Sequence, residues 1–212
     1  MVLHDFWTFF IWSTVAGLAI IGIYQLFLLI LRARGVFVTR TKFGLTMIFD
    51  SEDADGTPIR LLNVNGTFQS VSYIAPELRF ELCVHYHRMM AKVIQQVSAR
   101  GHVVVMGGGG FSLPKHLATH MSGGVIDAIE IDPKIVSLAR EHFFLDEALG
   151  AASSELRVIE DDAWKVLQDA EDGSIDVLVN EVFAGRESLG PLGTAAGAQV
   201  VKEKLADGGV YL

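Results

Sequence analysis

Between Phe6 and Leu31 the chain carries no charged side chain, and only Thr8, Ser13, Thr14 and Gln25 are polar. These 26 residues, wound as a helix at about 1.5 Å each, reach about 39 Å, enough to cross a hydrocarbon core of about 30 Å with some tilt. Trp7 and Trp12 near the front and Tyr24 nearer the back match part of an interfacial aromatic belt. The pattern predicts a membrane anchor over residues 1–33. A cleaved signal peptide is the alternative. It wants a basic start, a shorter apolar core and a small-x-small cleavage site, whereas this chain opens Met1-Val-Leu-His-Asp5 and follows the core with Leu31-Arg-Ala-Arg-Gly35.

The period then shortens. Residues 34–42 read as a juxtamembrane linker, and 43–76 as a small β domain. Within it, the apolar runs 45–49 and 59–64 flank the polar stretch 50–56, and Asn65-Gly66 turns the chain into a strand over 67–73. The polar stretch resembles a calcium loop at Asp53, Asp55 and Gly56, but the twelfth position falls on Leu62 where a glutamate is needed, which favours an acidic turn. Pro76 opens a connecting helix over about 77–98, in a segment extending to residue 100, with apolar positions at 78, 82, 86, 89, 90 and 93.

From Gly101 to Leu212 strands and helices alternate. Strands are predicted at 102–106, 125–130, 156–160, 175–181 and from 209, and helices at 112–120, 133–143, 163–170 and 195–205. Such alternation gives a parallel sheet with right-handed crossovers. The expected fold is therefore α/β: an N-terminal transmembrane helix, a small β-hairpin domain, then a Rossmann-like (class I methyltransferase-like) sheet that lacks its last strands. Because the sequence stops inside the fifth strand, either an oligomer contact or partner chain is expected to cover the open sheet edge, or the sequence is a truncated form.

Charge refines this picture. The formal net charge is −8, yet residues 1–42 carry Arg32, Arg34, Arg40 and Lys42 against Asp5 alone. The acidic excess thus belongs to the rest of the chain, which argues against nucleic acid as a partner. The cations that follow the apolar segment place the C-terminal domain in the cytoplasm, as a single-pass protein of the inner, cytoplasmic membrane. The one cysteine, Cys83, excludes an intrachain disulfide. Cys83 and His87, and likewise His116 and His120, are four residues apart and offer pairs to a metal. Neither has a third ligand nearby in sequence, so no metal is expected.

Ligands of parallel sheets bind beyond the carboxyl ends of the strands, and acidic or glycine residues stand at each such end here. Gly107-Gly-Gly-Gly110 follows the first strand; it is either a backbone cradle for a ligand or simply a tight strand–helix turn. Glu130 closes the second strand some 20 residues later, where a carboxylate holds ribose hydroxyls. Asp132 suits a helix cap better than a ligand. Glu160-Asp161-Asp162 follows the third strand, where an acceptor meets an adenine amine, with Trp164 or Ile131 along the base. A phosphate-binding lysine motif is absent, so an S-adenosylmethionine-type nucleoside fits better than a nucleoside triphosphate.

The segments Val103-Val-Val-Met-Gly-Gly-Gly-Gly-Phe-Ser-Leu-Pro-Lys115, Ile129-Glu-Ile-Asp-Pro-Lys134 and Val158-Ile-Glu-Asp-Asp162 resemble the spermidine synthase (polyamine aminopropyltransferase) family, in its membrane-anchored bacterial branch. Asn65-Gly-Thr-Phe-Gln69 and Leu205-Ala-Asp-Gly-Gly-Val-Tyr-Leu212 resemble it as well, so the likeness runs over about residues 43–212. The resemblance implies that Gly107, Gly108 and Gly109 form the nucleoside turn, Glu130 binds ribose, Asp161 and Asp162 face the adenine, and Gln69 reaches over from the small domain. The substrate implied is S-adenosylmethionine or its decarboxylated form, and the reaction aminopropyl or methyl transfer. Two family aspartates are missing. Gly110 stands where the glycine turn carries one, and Ala184 where the motif after the fourth strand carries another. Glu181, aligned with that motif's first aspartate, is the candidate catalytic base; an acidic residue at the pocket rim is the equal alternative. The departures also admit a catalytically inactive relative that serves as a membrane-tethered scaffold subunit.

Overall fold

A computed structural model describes residues 2–98, 100–182 and 190–212, with side chains from residue 7 onward. The apolar segment forms one helix, α1 (Val2–Ala33), of which Trp7–Ala33, with a mean hydropathy of 2.3 over an 18-residue stretch, is long and apolar enough to cross a membrane. Its polar residues are partly neutralised from within. The Ser13 and Thr14 hydroxyls donate to the carbonyls of Phe9 and Phe10, one turn back, at 2.8 and 2.9 Å.

Four strands follow as an antiparallel meander: β1 (Phe37–Thr41), β2 (Gly44–Glu52), β3 (Pro58–Val64) and β4 (Thr67–Tyr73). The expected linker over 34–42 is thus corrected, because Phe37–Thr41 pairs residue for residue with Gly44–Ile48. Its β-branched and aromatic residues favour a pleated surface, and Lys42-Phe43 is a two-residue turn. Asn65 and Gly66 both have positive φ, 50° and 83°, the mirror-image turn that suits the twist of a hairpin. In the acidic stretch, Asp53 Oδ1 accepts from the Asp55 and Thr57 amides at 3.0 and 2.9 Å, so this carboxylate closes its own turn.

The connecting segment departs from its periodicity. Helix α2 spans His85–Val97, and residues 75–84 form successive turns. Two arginines fold back on the main chain: Arg79 Nε donates to Ile74 O at 3.2 Å, and Arg88 donates to Leu82 O and Cys83 O, each at 2.7 Å, two carbonyls that the expected helix would have paired. Cys83 therefore lies outside the helix that carries His87.

The second sheet is parallel throughout, in the order β7 (Glu155–Ile159), β6 (Val125–Ile129), β5 (His102–Met106), β8 (Ile175–Asn180), β9 (Leu205–Tyr211). In β5, Val103 and Val105 pack with α2, α3 (Ser112–His120), α4 (Pro133–His142) and α5 (Leu145–Ala151), while Val104 and Met106 face α6 (Ala163–Asp169) and α7 (Ala195–Lys204). Burial on both faces explains why β5 reads as an unbroken apolar run. Helix α5 had no separate signal in the sequence. It sits after Phe144, which takes the left-handed conformation at φ 61°. Strand β9 starts at Leu205 rather than Gly209, and the irregularity between its pairings with Ile175 and Val177 takes up the extra residues.

The two sheets are joined by shared core. Ile48, Leu62 and Val64 of the meander bury against Ile135 and Leu138 of α4 and against Phe143. Asp132 adds a polar tie: it caps α4 through the Lys134 amide at 2.9 Å and accepts from the Lys42 amide of the β1–β2 turn at 2.6 Å. A cap of this kind contributes about 1 kcal/mol.

Candidate functional site

Chain order reverses between β5 and β8, so the crevice beyond their carboxyl ends is where an open α/β sheet accepts a ligand. The glycine turn lies there, and its lack of side chains is a packing necessity. Gly107 has φ 99°, and a Cβ on it would lie 2.5 Å from the Glu181 carbonyl. A Cβ on Gly108 would lie 2.5 Å from the ring of Phe111, which is fully buried.

Glu130, at the end of β6 and nearly buried, reaches back across the turn. Its Oε2 accepts from the amides of Gly108 and Gly109 at 3.1 Å each, and its Oε1 from the Asp132 amide at 3.0 Å. The carboxylate that the sequence assigns to a ribose thus organises the glycine amides as well.

Strand β4 roofs the turn. Ser112, in the first turn of α3, bonds the Ser70 and Ser72 hydroxyls at 2.9 and 3.2 Å and donates to Val71 O at 2.8 Å. This clamp brings the Gln69 main chain beside Gly109, where a Cβ would stand 3.2 Å from its carbonyl oxygen. Gln69, Gly107, Gly108, Gly109 and Glu130 are therefore brought together. Asp161 and Asp162 are engaged elsewhere. Asp162 caps α6 through the Trp164 and Lys165 amides at 2.8 and 3.3 Å, and Asp161 pairs with Lys165 at 2.6 Å.

Glu181 follows β8, with its amide donating to Met106 O at 2.8 Å. Its carboxylate oxygens lie 2.7 and 2.9 Å from His87 Nε2, and both side chains are largely buried. Tyr86 lies against His87 with ring centroids 4.3 Å apart and the planes tilted by 52°, and its hydroxyl is pushed up to about 12 by burial and by the nearby Glu181 carboxylate. Sequence reasoning weighed His87 only as a partner of Cys83. The usable signal was the register of α2, which points His87 and Ala91 toward the core. Ala184 lies outside the described residues.

Lys115 of α3 is a buried cation that the sequence pattern did not single out. It is 1% exposed, and its ammonium donates to Phe143 O and, at 3.3 Å, to Ser72 Oγ. Burial pushes its pKa down to about 7.

Known proteins place this arrangement in a family. The spermine/spermidine synthase domain matches residues 83–212, more than half of the chain. A probable spermidine synthase from Corynebacterium glutamicum superposes with a TM-score of 0.65 at 23% identity, covering 82% of this chain and 62% of that one. A spermidine synthase in complex with the transition-state analogue AdoDATO gives 0.62 at 17%, covering 83% and 56%. Human methyltransferase-like protein 13 in complex with SAH gives 0.50 at 25%, covering 61% and 64%. The chain thus spans less than two thirds of the length of these proteins. No curated protein sequence matches it. The glycine turn after β5, the carboxylate after β6 and the matched domain lead to one assignment: this chain belongs to the spermine/spermidine synthase family.

Proposed function

We propose that the chain is a membrane-anchored transferase that binds an S-adenosylmethionine-type nucleoside across the glycine turn. The observation that carries this reading is the Glu130 carboxylate fixed against the Gly108 and Gly109 amides, with β4 and Gln69 alongside. Glu130 takes the ribose hydroxyls, and the adenine lies toward Asp161 and Asp162, beside Trp164. Asp162 retains accepting capacity there, because Oδ1 alone serves the helix cap.

The sulfonium sulfur is already a leaving group, so the protein chiefly aligns the nucleophile and excludes water. In aminopropyl transfer an amine nitrogen forms a C–N bond to the carbon on sulfur. The C–S bond breaks, its electron pair stays on the neutral thioether, and a base takes the amine proton. Glu181, held by His87, is that base. Methyl transfer follows the same electron flow at the methyl carbon. AdoDATO and SAH in the related structures support a ligand of this class. Helix α1 anchors the protein, and Arg34, Arg40 and Lys42 set the C-terminal domain in the cytoplasm.

A second reading, an inactive tethered subunit, is favoured by Gly110. A Cβ there would lie 2.6 Å from Ser70 Oγ, so the space for the family's aspartate is filled. Calorimetric titration of the detergent-purified chain with S-adenosylmethionine, its decarboxylated form and methylthioadenosine tests both readings, with Glu130→Ala as control. Binding that the variant loses supports the transferase, and preference for the decarboxylated form supports aminopropyl transfer. No binding of any of the three leaves the tethered subunit.

A further inference from the structure

Outside the nucleoside site, one cluster gathers metal-ligating chemistry from two separate segments. His116 and His120 sit four residues apart on one face of α3, with their rings stacked 4.1 Å apart at 22°. The turn that replaces the expected helix at 75–84 carries Glu81 to the same place, and one ligand atom from each residue lies within 4.8 Å of the others.

The hydrogen bonds fix which nitrogens are available. His116 Nδ1 lies 2.8 Å from Phe80 O, and His120 Nδ1 lies 2.9 Å from His116 O. A carbonyl oxygen only accepts, so both Nδ1 atoms carry hydrogen, and in the neutral rings both Nε2 atoms present lone pairs. His120 Nε2 faces Glu81 Oε1 at 3.1 Å, an acceptor against an acceptor. A cation resolves that conflict. Donation of the distal N–H to a main-chain carbonyl is also how metal-binding histidines are commonly oriented.

We propose that Glu81, His116 and His120 form a site for a zinc-class divalent cation. Two imidazole nitrogens and one carboxylate oxygen are a zinc donor set, and the exposure of Glu81 and His120 leaves a fourth position for water. The ion staples the 75–84 turn, which leads into α2 and His87, onto α3. The site is independent of the nucleoside reading.

The test uses the untagged full-length chain in detergent, stripped with chelator and titrated calorimetrically with zinc, with cobalt(II) absorption as a second readout. The expected result is one equivalent bound, affinity weakened more than about tenfold in His116→Gln and His120→Gln, and no change in His85→Gln. Zinc should raise the unfolding temperature of the wild type but not of His120→Gln, and the metal-free proteins should unfold alike, which separates a lost ligand from a lost fold. No saturable binding, or binding that both histidine variants retain, overturns the proposal.

Discussion

The Glu181 carboxylate, at the end of β8, receives the His87 imidazole of α2 at 2.7 Å, with 13% and 8% of the two side chains exposed. Ninety-four residues apart in sequence, the two groups form one buried polar unit beside the glycine turn. With Glu181 as the base, Glu181→Gln keeps the shape and removes the proton acceptor. Turnover should fall about 10²- to 10⁴-fold, while methylthioadenosine binding, measured by calorimetry, stays within a factor of about two. His87→Ala should instead cost about 1–3 kcal/mol of stability in denaturant titration, because it leaves a buried carboxylate short of a partner.

Gly110 sets a second expectation. The Cβ of an aspartate there would meet Ser70 Oγ at 2.6 Å and the Phe143 ring at 3.1 Å. Gly110→Asp should therefore not restore the family pattern. It should destabilise the chain by about 2 kcal/mol or more through overpacking and an unpaired buried charge, and Ser70→Gly in the same chain should recover part of that loss. Thermal unfolding of the two variants measures both steps.

Much of this was legible in the sequence, for local reasons. Strand β5 and helix α3 announce themselves at their exact residues, 102–106 and 112–120, because an apolar run ends at a glycine turn. Asp132 and Pro133 likewise mark the start of α4. What stayed hidden depends on long-range contacts. Arg88 captures the Leu82 and Cys83 carbonyls, which a helix extended back to residue 77 by periodicity alone would have paired. The pairing of His87 with Glu181, and of Glu81 with His120, joins segments 94 and 39 residues apart, which no local pattern encodes. Asp162 illustrates a shared signal: a carboxylate after a strand reads equally as a ligand for adenine or as a helix cap, and the cap is what its Oδ1 makes.

The proposed orientation has a labelling test. The native Cys83 is half-buried, and burial pushes its thiol up to about 11, so it reacts slowly at neutral pH. In a Cys83→Ser background, Asp55→Cys places a thiol in the exposed β2–β3 turn. A membrane-impermeant maleimide should label it in inverted inner-membrane vesicles and not in intact spheroplasts. The opposite pattern would reverse the assigned topology.

Lys115 gives the last expectation, and its sign follows from linkage. Burial lowers the folded-state pKa from 10.5 to about 7. Between those values the unfolded chain binds the proton that the folded chain has released, so stability rises with pH from about 7 toward 10. Below about 7 both states carry the proton, and the full cost of burying the ammonium, on the order of a few kcal/mol, is present. Hydrogen bonds to Phe143 O and Ser72 Oγ offset part of it, since no carboxylate reaches Nζ among the described residues. Lys115→Met removes the titration but leaves the Phe143 carbonyl without its donor, so its net effect at one pH mixes two opposed contributions. The slope separates them. Urea unfolding from pH 7 to 10 should show wild-type stability climbing relative to Lys115→Met, with the variant's advantage greatest near pH 7. Parallel curves would mean that the amine titrates near its ordinary value, its charge still solvated where α3 meets β4.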